Sequence, residues 1–158
     1  MDALAHVRLH LKDKVVIVGI GNTLRCDDGI GPRLAQGIMG KVPFMVWDAG
    51  VSPENYLGRV IKENPDTILL VDAIDFGGQP GEVRVVEADE LTASNLFSTH
   101  NVSLELAVRF LQEGCRADIL MLMIQPASLA FGEKLTPAVE SALKQLGDWF
   151  INEGKEKR

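Results

Sequence analysis

Three short polar segments carry the side chains that are best suited to chemistry. Asp27 and Asp28 follow a glycine-rich turn, Asp72 directly follows an apolar run, and His100 precedes an amphipathic segment. Two carboxylates and an imidazole make a set of two oxygen ligands and one nitrogen ligand that leaves coordination positions open. This set suits a divalent transition metal such as nickel, zinc or manganese, without selecting among them. If Asp28, Asp72 and His100 converge, they form a candidate metal site.

Each of these residues also has a structural interpretation. An Asp ahead of a helix is a common N-cap, although one cap needs only one of Asp27 and Asp28. An Asp at a strand end, such as Asp72, often only tethers a loop, and a single His is more often structural than a ligand. Cys26 could form a nucleophilic pair with His100. Because neighbouring carboxylates disfavour a thiolate, we interpret Cys26 as a small packing residue.

The glycine-rich turn also raises a dinucleotide alternative. Residues 19–22 follow the first apolar run, and Asp48 ends the second, about where the ribose-binding acid of an NAD or FAD enzyme belongs. However, Leu24 stands at the third glycine position of the fingerprint. Asp27 and Asp28 would also repel a pyrophosphate at the helix N-terminus. The dinucleotide interpretation is therefore the weaker one.

The elements that must position these residues alternate between strand and helix. Apolar runs predict buried strands, at 15–18, 44–47, 68–71 and 119–124. Start signals and helical periodicity predict helices, from about 29, at 52–61, at 104–111 and from 136 to 150. The more polar stretch 82–87 follows a segment rich in glycine and proline and predicts a short edge strand, which we expect to be antiparallel. The pattern indicates a three-layer α/β/α sandwich around a mostly parallel sheet of about five strands.

The predicted sheet brings the candidate ligands to one edge. Ligands of an open α/β sheet bind outside the carboxyl ends of its strands. We expect the first and third strands to be neighbours, so that Asp28 and Asp72 share one crevice on a solvent-facing rim. His100 lies just ahead of a helix, on the same edge if the alternation holds.

Composition excludes several classes of protein. The 158 residues fit one domain, 1–158, and the formal net charge of −6 argues against a nucleic-acid partner or an anionic membrane surface. The longest apolar run, 119–124, is too short to span a bilayer, and no secretory signal begins the chain. Two cysteines fit a reducing compartment, so we expect a cytoplasmic protein.

The two ends of the chain read as additions to this domain. Residues 1–13 carry a weak apolar pattern and are expected to form a docked turn or an N-terminal extension. His6 and His10 are four residues apart there, but no further ligand is evident, so we interpret the spacing as incidental. Residues 154–158 form a charged C-terminal tail, expected to be frayed and solvated.

Three motifs together resemble one protein family. Residues 19–32 (GIGNTLRCDDGIGP) resemble the opening signature of the nickel–iron hydrogenase maturation proteases. Residues 71–73 (VDA) resemble the second acidic site of that family, and 98–101 (STHN) its histidine loop. The similarity runs from Val15 to about Phe150 and is closest to the branch that processes hydrogenase 3, the formate-hydrogenlyase-type enzyme. Residues 48–50 (DAG) depart from the Asp-Gly-Gly that is common in the family.

The resemblance implies a specific activity. The family removes a short C-terminal peptide from the hydrogenase large-subunit precursor once nickel has been inserted, after a basic residue beyond the last metal-binding cysteine motif. The positions that match its nickel contacts are Asp28, Asp72 and His100. The implied fold is a five-stranded twisted sheet with one antiparallel strand, and we expect a monomer.

Two questions stay open at this point. The family is grouped with aspartic endopeptidases, but an Asp that ligates a metal is held ionised, which fits poorly with two carboxyls sharing one proton. The base among Asp28, Asp72 and other groups is not assigned. A non-catalytic nickel-binding checkpoint or chaperone with the same ligands is the competing class.

Overall fold

The computed structural model describes residues 2–93 and 102–157, without the side chains of 92, 93, 102 and 103. These residues form a sheet of five strands, β1 (Val15–Ile20), β2 (Met45–Gly50), β3 (Thr67–Ala73), β4 (Val83–Glu87) and β5 (Asp118–Ile124). The strand order is β2-β1-β3-β5-β4. Strands β1, β2, β3 and β5 are parallel, and β4 pairs antiparallel to β5 at the edge. This arrangement confirms the predicted sheet.

Helices cover both faces of the sheet. The described helices are α1 (Ala3–His10), α2 (Ile30–Ile38), α3 (Leu57–Lys62), α4 (Ala88–Ala93), α5 (Val102–Gly114) and α6 (Pro137–Glu156). One apolar cluster joins α1, α2 and α6 to the sheet, and a second joins α3, α4 and α5 to the opposite face. Because both faces are covered, all six residues of β1 are buried. The three-layer α/β/α sandwich is confirmed.

The N-terminal segment belongs to the core. Asp2 caps α1 by accepting a hydrogen bond from the Leu4 amide at 3.1 Å. Val7 and Leu11 are each 1% exposed, so the weak apolar pattern marks a helix packed on the sheet. Arg8 contacts the buried Glu153 at 2.8 Å, which ties α1 to α6. Residues 3–11 therefore belong to the packed domain and are more than the docked turn or extension that we expected.

The tail expected at 154–158 is solvated at 155–157 but helical up to Glu156, where we expected it to be frayed. Helix α6 continues to Glu156, and both Glu153 and Gly154 are buried. A Cβ atom at Gly154 would lie 2.8 Å from Cδ of Pro43, so the helix packs closely on the segment before β2. Packing against distant residues, which a local charge pattern does not reveal, keeps the last turn ordered.

Two smaller features differ from the sequence expectations, the start of α3 and the short α4, whereas the end of α3 agrees with them. Residues Pro53–Asn55 form a 3-10 turn before α3, and the Ser52 side chain makes no capping hydrogen bond. Helix α3 ends at Lys62, ahead of Pro65, and the short α4 was not predicted.

Among the described residues, none of the helices combines the length and apolar character needed to cross a bilayer.

Candidate functional site

Close packing of α2 on the sheet brings the two acidic segments together. Strands β1 and β3 are parallel neighbours, with Gly19 opposite Val71. A Cβ atom at Gly31, in the first turn of α2, would lie 2.5 Å from the Val71 carbonyl oxygen. Any side chain at position 31 would clash with β3, so only glycine allows α2 to pack this closely. The close packing brings Asp28, three residues before Gly31, toward Asp72. The expected convergence of Asp28 and Asp72 therefore follows from strand order and one small residue.

Asp72 is a buried carboxylate with an unsatisfied oxygen. The residue is 8% exposed, and its Oδ1 has no hydrogen-bond partner among the described residues. Burial raises the pKa of Asp72 well above its ordinary value, and the negative charge of Asp28 raises it further. The Ala73 amide offsets only part of this increase. Asp72 thus lies inside the crevice and not on the solvent-facing rim that we expected.

Asp28 is the more accessible member of the pair. The residue is half-buried, and its Oδ2 accepts a hydrogen bond from the Asn22 amide at 2.8 Å. Burial raises the pKa of Asp28, while the Asn22 hydrogen bond and the charge of Arg25 partly oppose the increase. Asp28 does not cap α2, whose N-cap residue Gly29 has no side-chain hydrogen bond. The Asn22 amide holds the Asp28 carboxylate in the turn, and the negative charge of Asp28 raises the pKa of Asp72.

Asp27 has a structural role that the sequence did not reveal. Its fully buried carboxylate accepts hydrogen bonds from the amides of Ala127, Ser128 and Thr136 at 2.8, 3.1 and 2.7 Å. The Thr136 hydroxyl donates a fourth bond at 2.7 Å. Burial alone would raise the pKa of Asp27, but these bonds outweigh it, and the pKa is lowered. Asp27 therefore fastens the segment between β5 and α6 to the acidic turn.

Cys26 supports the turn through its backbone. Cys26 has a positive φ of 52°, which is unfavourable for a residue other than glycine and must be stabilised by surrounding contacts. Its amide donates to the Gly132 carbonyl at 2.7 Å, and its half-buried Sγ lies 3.8 Å from Oδ1 of Asp27. These contacts fit the packing role expected for Cys26. The nucleophilic pairing with His100 stays untested.

His100 lies outside the described residues, together with the rest of segment 98–101. Its place beside the two carboxylates therefore stays a prediction. Another polar residue that sequence reasoning missed is Gln125, which is 6% exposed. Its Oε1 accepts hydrogen bonds from the Phe76 and Gly78 amides, at 2.9 and 3.1 Å, and so shapes the loop that follows β3. A Gln directly after a buried strand was the available signal.

The dinucleotide interpretation gains no support from the geometry. Oxygens of Asp48 accept hydrogen bonds from Nε2 of Gln36 at 2.8 Å and from the Gly50 amide at 2.9 Å. The Asn22 amide, which a phosphate would need, is already bound to Asp28. Asp48 therefore serves the local structure at the end of β2.

Apolar side chains stand exposed beside the acidic turn. Leu24, Leu129 and Phe131 are 52%, 44% and 83% exposed. The Leu24 carbonyl accepts a hydrogen bond from the Gly132 amide at 2.9 Å, so the two loops lie side by side. The Arg25 guanidinium carbon is 5.4 Å from the centre of the Phe131 ring. We call Leu24, Leu129 and Phe131 the apolar rim.

Comparison with known proteins gives a consistent result. The family model described as hydrogenase maturation protease matches residues 30–153. The hydrogenase 3 maturation protease of Escherichia coli K12 is 33% identical over 145 residues, covering 88% of this chain and 92% of the relative. The crystal structure of the NiFe hydrogenase maturation protease HycI from Thermococcus kodakarensis KOD1 is similar with a TM-score of 0.85 and 28% identity, over 96% of this chain and 99% of that one. The solution structure of the Escherichia coli endopeptidase HycI has a TM-score of 0.77 and 29% identity, over 89% and 90% of the two chains.

Proposed function

This chain belongs to the hydrogenase maturation protease family, and on that premise we propose that it removes the C-terminal peptide from a nickel-loaded hydrogenase large-subunit precursor. The resemblance noted in the sequence is thereby confirmed, and the chain is an endopeptidase. The protease names of its relatives favour catalysis over a non-catalytic checkpoint. Neither these relatives nor the contacts of the described residues support an NAD or FAD enzyme.

The unsatisfied Oδ1 of Asp72 is the observation that carries this proposal. A buried carboxylate oxygen without a partner costs free energy, and proximity to Asp28 adds to that cost. A cation at the mouth of the crevice would satisfy the oxygen and neutralise the repulsion. The residues present therefore fit a metal, and Asp28, Asp72 and His100 are the ligands that we propose for it.

In our proposal the metal is part of the substrate. Nickel already held by the precursor would meet an open ligand set, so that only a loaded precursor binds productively. When bound, such a cation polarises a carbonyl group or lowers the pKa of a water near the scissile bond. Asp72 supplies the buried oxygen, and the Asn22 amide orients Asp28. Asp27 keeps the turn rigid, so the two carboxylates stay positioned before the substrate arrives.

Processing is expected to depend on nickel in the precursor. A precursor purified without nickel should stay intact, because the positive charge that draws it to Asp28 and Asp72 is missing. Loaded and nickel-free precursors are compared by the mass of the product after incubation with the purified protease. Free nickel added with the nickel-free precursor is the control and should not restore cleavage. Equal rates for the two precursors would contradict metal recognition.

The apolar rim is expected to contact the polypeptide substrate. Burial of a Phe side chain contributes about 1.5–3 kcal/mol, so Phe131→Ser should raise the KM about tenfold or more and leave kcat largely unchanged. Phe110→Ser on α5 is the matched control, because Phe110 is also exposed, at 52%, and lies on a helix that packs against the opposite face of the sheet. An unchanged KM for Phe131→Ser would remove the rim from the binding surface.

A further inference from the structure

A second group of potential metal ligands lies where α1 meets the edge strand. His6 and His10 are one helical turn apart on α1, and Glu87 is the last residue of β4. One ligand atom from each residue lies within 4.8 Å of the others. The spacing that we interpreted as incidental therefore gains a third ligand from a distant part of the chain.

The distances within this group suit a bridging ion better than direct bonds. Oε1 of Glu87 is 4.0 Å from Nε2 of His6 and 3.8 Å from Nε2 of His10. Both separations are too long for hydrogen bonds. Ligand atoms across a tetrahedral zinc ion are about 3.3 Å apart, given bond lengths near 2.0–2.1 Å. The three ligand atoms lie within 4.8 Å of one another, so closing the group on an ion shortens each separation by at most about 1.5 Å.

The hydrogen bonding of His10 prepares it as a ligand. Its Nδ1 lies 3.1 Å from the His6 carbonyl oxygen, which can only accept. This contact favours the tautomer with the proton on Nδ1, which leaves Nε2, 3.8 Å from Oε1 of Glu87, as the ligand atom. Fixing a tautomer by a backbone carbonyl is the usual arrangement behind a metal-ligating His. Asp118, with Oδ2 3.9 Å from the same Nε2, can provide a further oxygen.

This group is separate from the acidic crevice. Strand β4 runs antiparallel to β5, so its last residue, Glu87, pairs with Leu120 near the start of β5. Asp72 pairs with Met123, three residues further along β5. Three steps along a strand amount to about 10 Å, and the carboxylates lie at opposite ends of the sheet.

We propose that His6, His10 and Glu87 bind one divalent transition metal of the zinc type, which fastens α1 to the edge strand. Two imidazoles and a carboxylate are ligands that zinc accepts, and water or Asp118 completes four-coordination. The half-buried rings, with side chains 25% and 19% exposed, leave the site open to an incoming ion. Bound metal would join the first helix of the chain to the strand farthest from β2.

The test is zinc titration of the purified full-length chain after chelator treatment, followed by calorimetry. We expect one equivalent to bind and the Tm to rise by about 5–10 °C at 100 times the Kd. Cobalt in place of zinc should give the absorption spectrum of a tetrahedral site. His6→Gln, His10→Gln and Glu87→Gln should each weaken binding at least tenfold, whereas Glu90→Gln, a nearby exposed carboxylate, should not.

Two further measurements distinguish zinc binding at His6, His10 and Glu87 from zinc binding in the acidic crevice. Zinc binding should persist in Asp72→Asn, because that substitution affects only the crevice. Circular dichroism checks that α1 is retained in each variant, and the single ligand variants are compared with the double variant His6→Gln/His10→Gln. Binding that is lost in Asp72→Asn but kept in the double variant would assign the ion to the crevice and overturn the proposal. Absence of saturable binding would also overturn it.

Discussion

Asp72→Asn is expected to abolish processing and, at the same time, to stabilise the metal-free fold. The wild-type carboxylate is buried, lacks a partner for Oδ1 and is repelled by Asp28. Loss of its charge should slow cleavage by about 10²–10⁴-fold, the usual effect of losing a catalytic side chain. The same loss should raise the free energy of unfolding by about 1–2 kcal/mol. A residue kept only for structure would show the opposite sign in stability.

The stability gain should depend on pH in a defined direction. The pKa of Asp72 is higher in the folded chain than its ordinary value of 3.8. The protonated carboxyl therefore favours folding below the unfolded pKa, and this contribution is lost as the pH rises through the folded value. Asp72→Asn should therefore match the wild type near pH 4 and exceed it at pH 7. Urea unfolding in the presence of a chelator measures the difference.

Asp75→Asn is the control for this pair of effects. Asp75 is exposed, and hydrogen bonds from Gln125 and Gly77 lower its pKa. A lowered pKa contributes stability above the unfolded value that is lost as the pH falls through the folded one. Asp75→Asn should therefore lower the free energy of unfolding at pH 7, where Asp72→Asn raises it, and should leave processing largely intact. Near-normal processing by Asp72→Asn would contradict the assignment of Asp72 to the site.

The convergence of Asp28 and Asp72 could be predicted because it depends on local signals. Asp28 follows β1, and Asp72 lies at the carboxyl end of β3; the two strands are parallel neighbours, so their carboxyl ends meet. The burial of Asp72 could not be predicted, since it results from the close approach of α2 at Gly31. The depth of a side chain in a crevice depends on helix packing, which strand patterns do not report.

Other features escaped prediction because their partners are distant in sequence. Helix α1 and the end of α6 are joined by the contact between Arg8 and Glu153, which are 145 residues apart. The grouping of His6 and His10 with Glu87 likewise needs the edge strand to lie beside α1. The sandwich itself was predictable, since apolar runs and helical periodicity are local properties of the chain.

The second large effect concerns stability and arises at Asp27, which is buried and hydrogen-bonded, whereas the adjacent Asp28 lies in the crevice. Asp27→Asn is expected to destabilise the fold by about 2–4 kcal/mol and to lower the Tm by about 5–15 °C. Four donors converge on the Asp27 carboxylate from Ala127, Ser128 and Thr136. An amide has one acceptor oxygen, and its NH₂ group would face donors. Thermal and urea unfolding measure the loss.

The cause of this loss can be separated from a role in catalysis. The pKa of Asp27 is lowered in the fold, so its contribution is present above pH 3.8 and declines as the pH falls through the folded value. The difference between wild type and Asp27→Asn should therefore shrink in acid, as it does for Asp72→Asn, but at pH 7 the wild type is here the more stable protein. Thr136→Val removes one of the four donors and should lower the free energy of unfolding by about 1–2 kcal/mol.

Because Asp27 acts only by holding the turn, Asp27→Asn should regain processing as the temperature is lowered, whereas Asp28→Asn should not. A stable, inactive Asp27→Asn beside an active Asp28→Asn would mean that the ligand is Asp27 and that the proposed site is wrong by one residue.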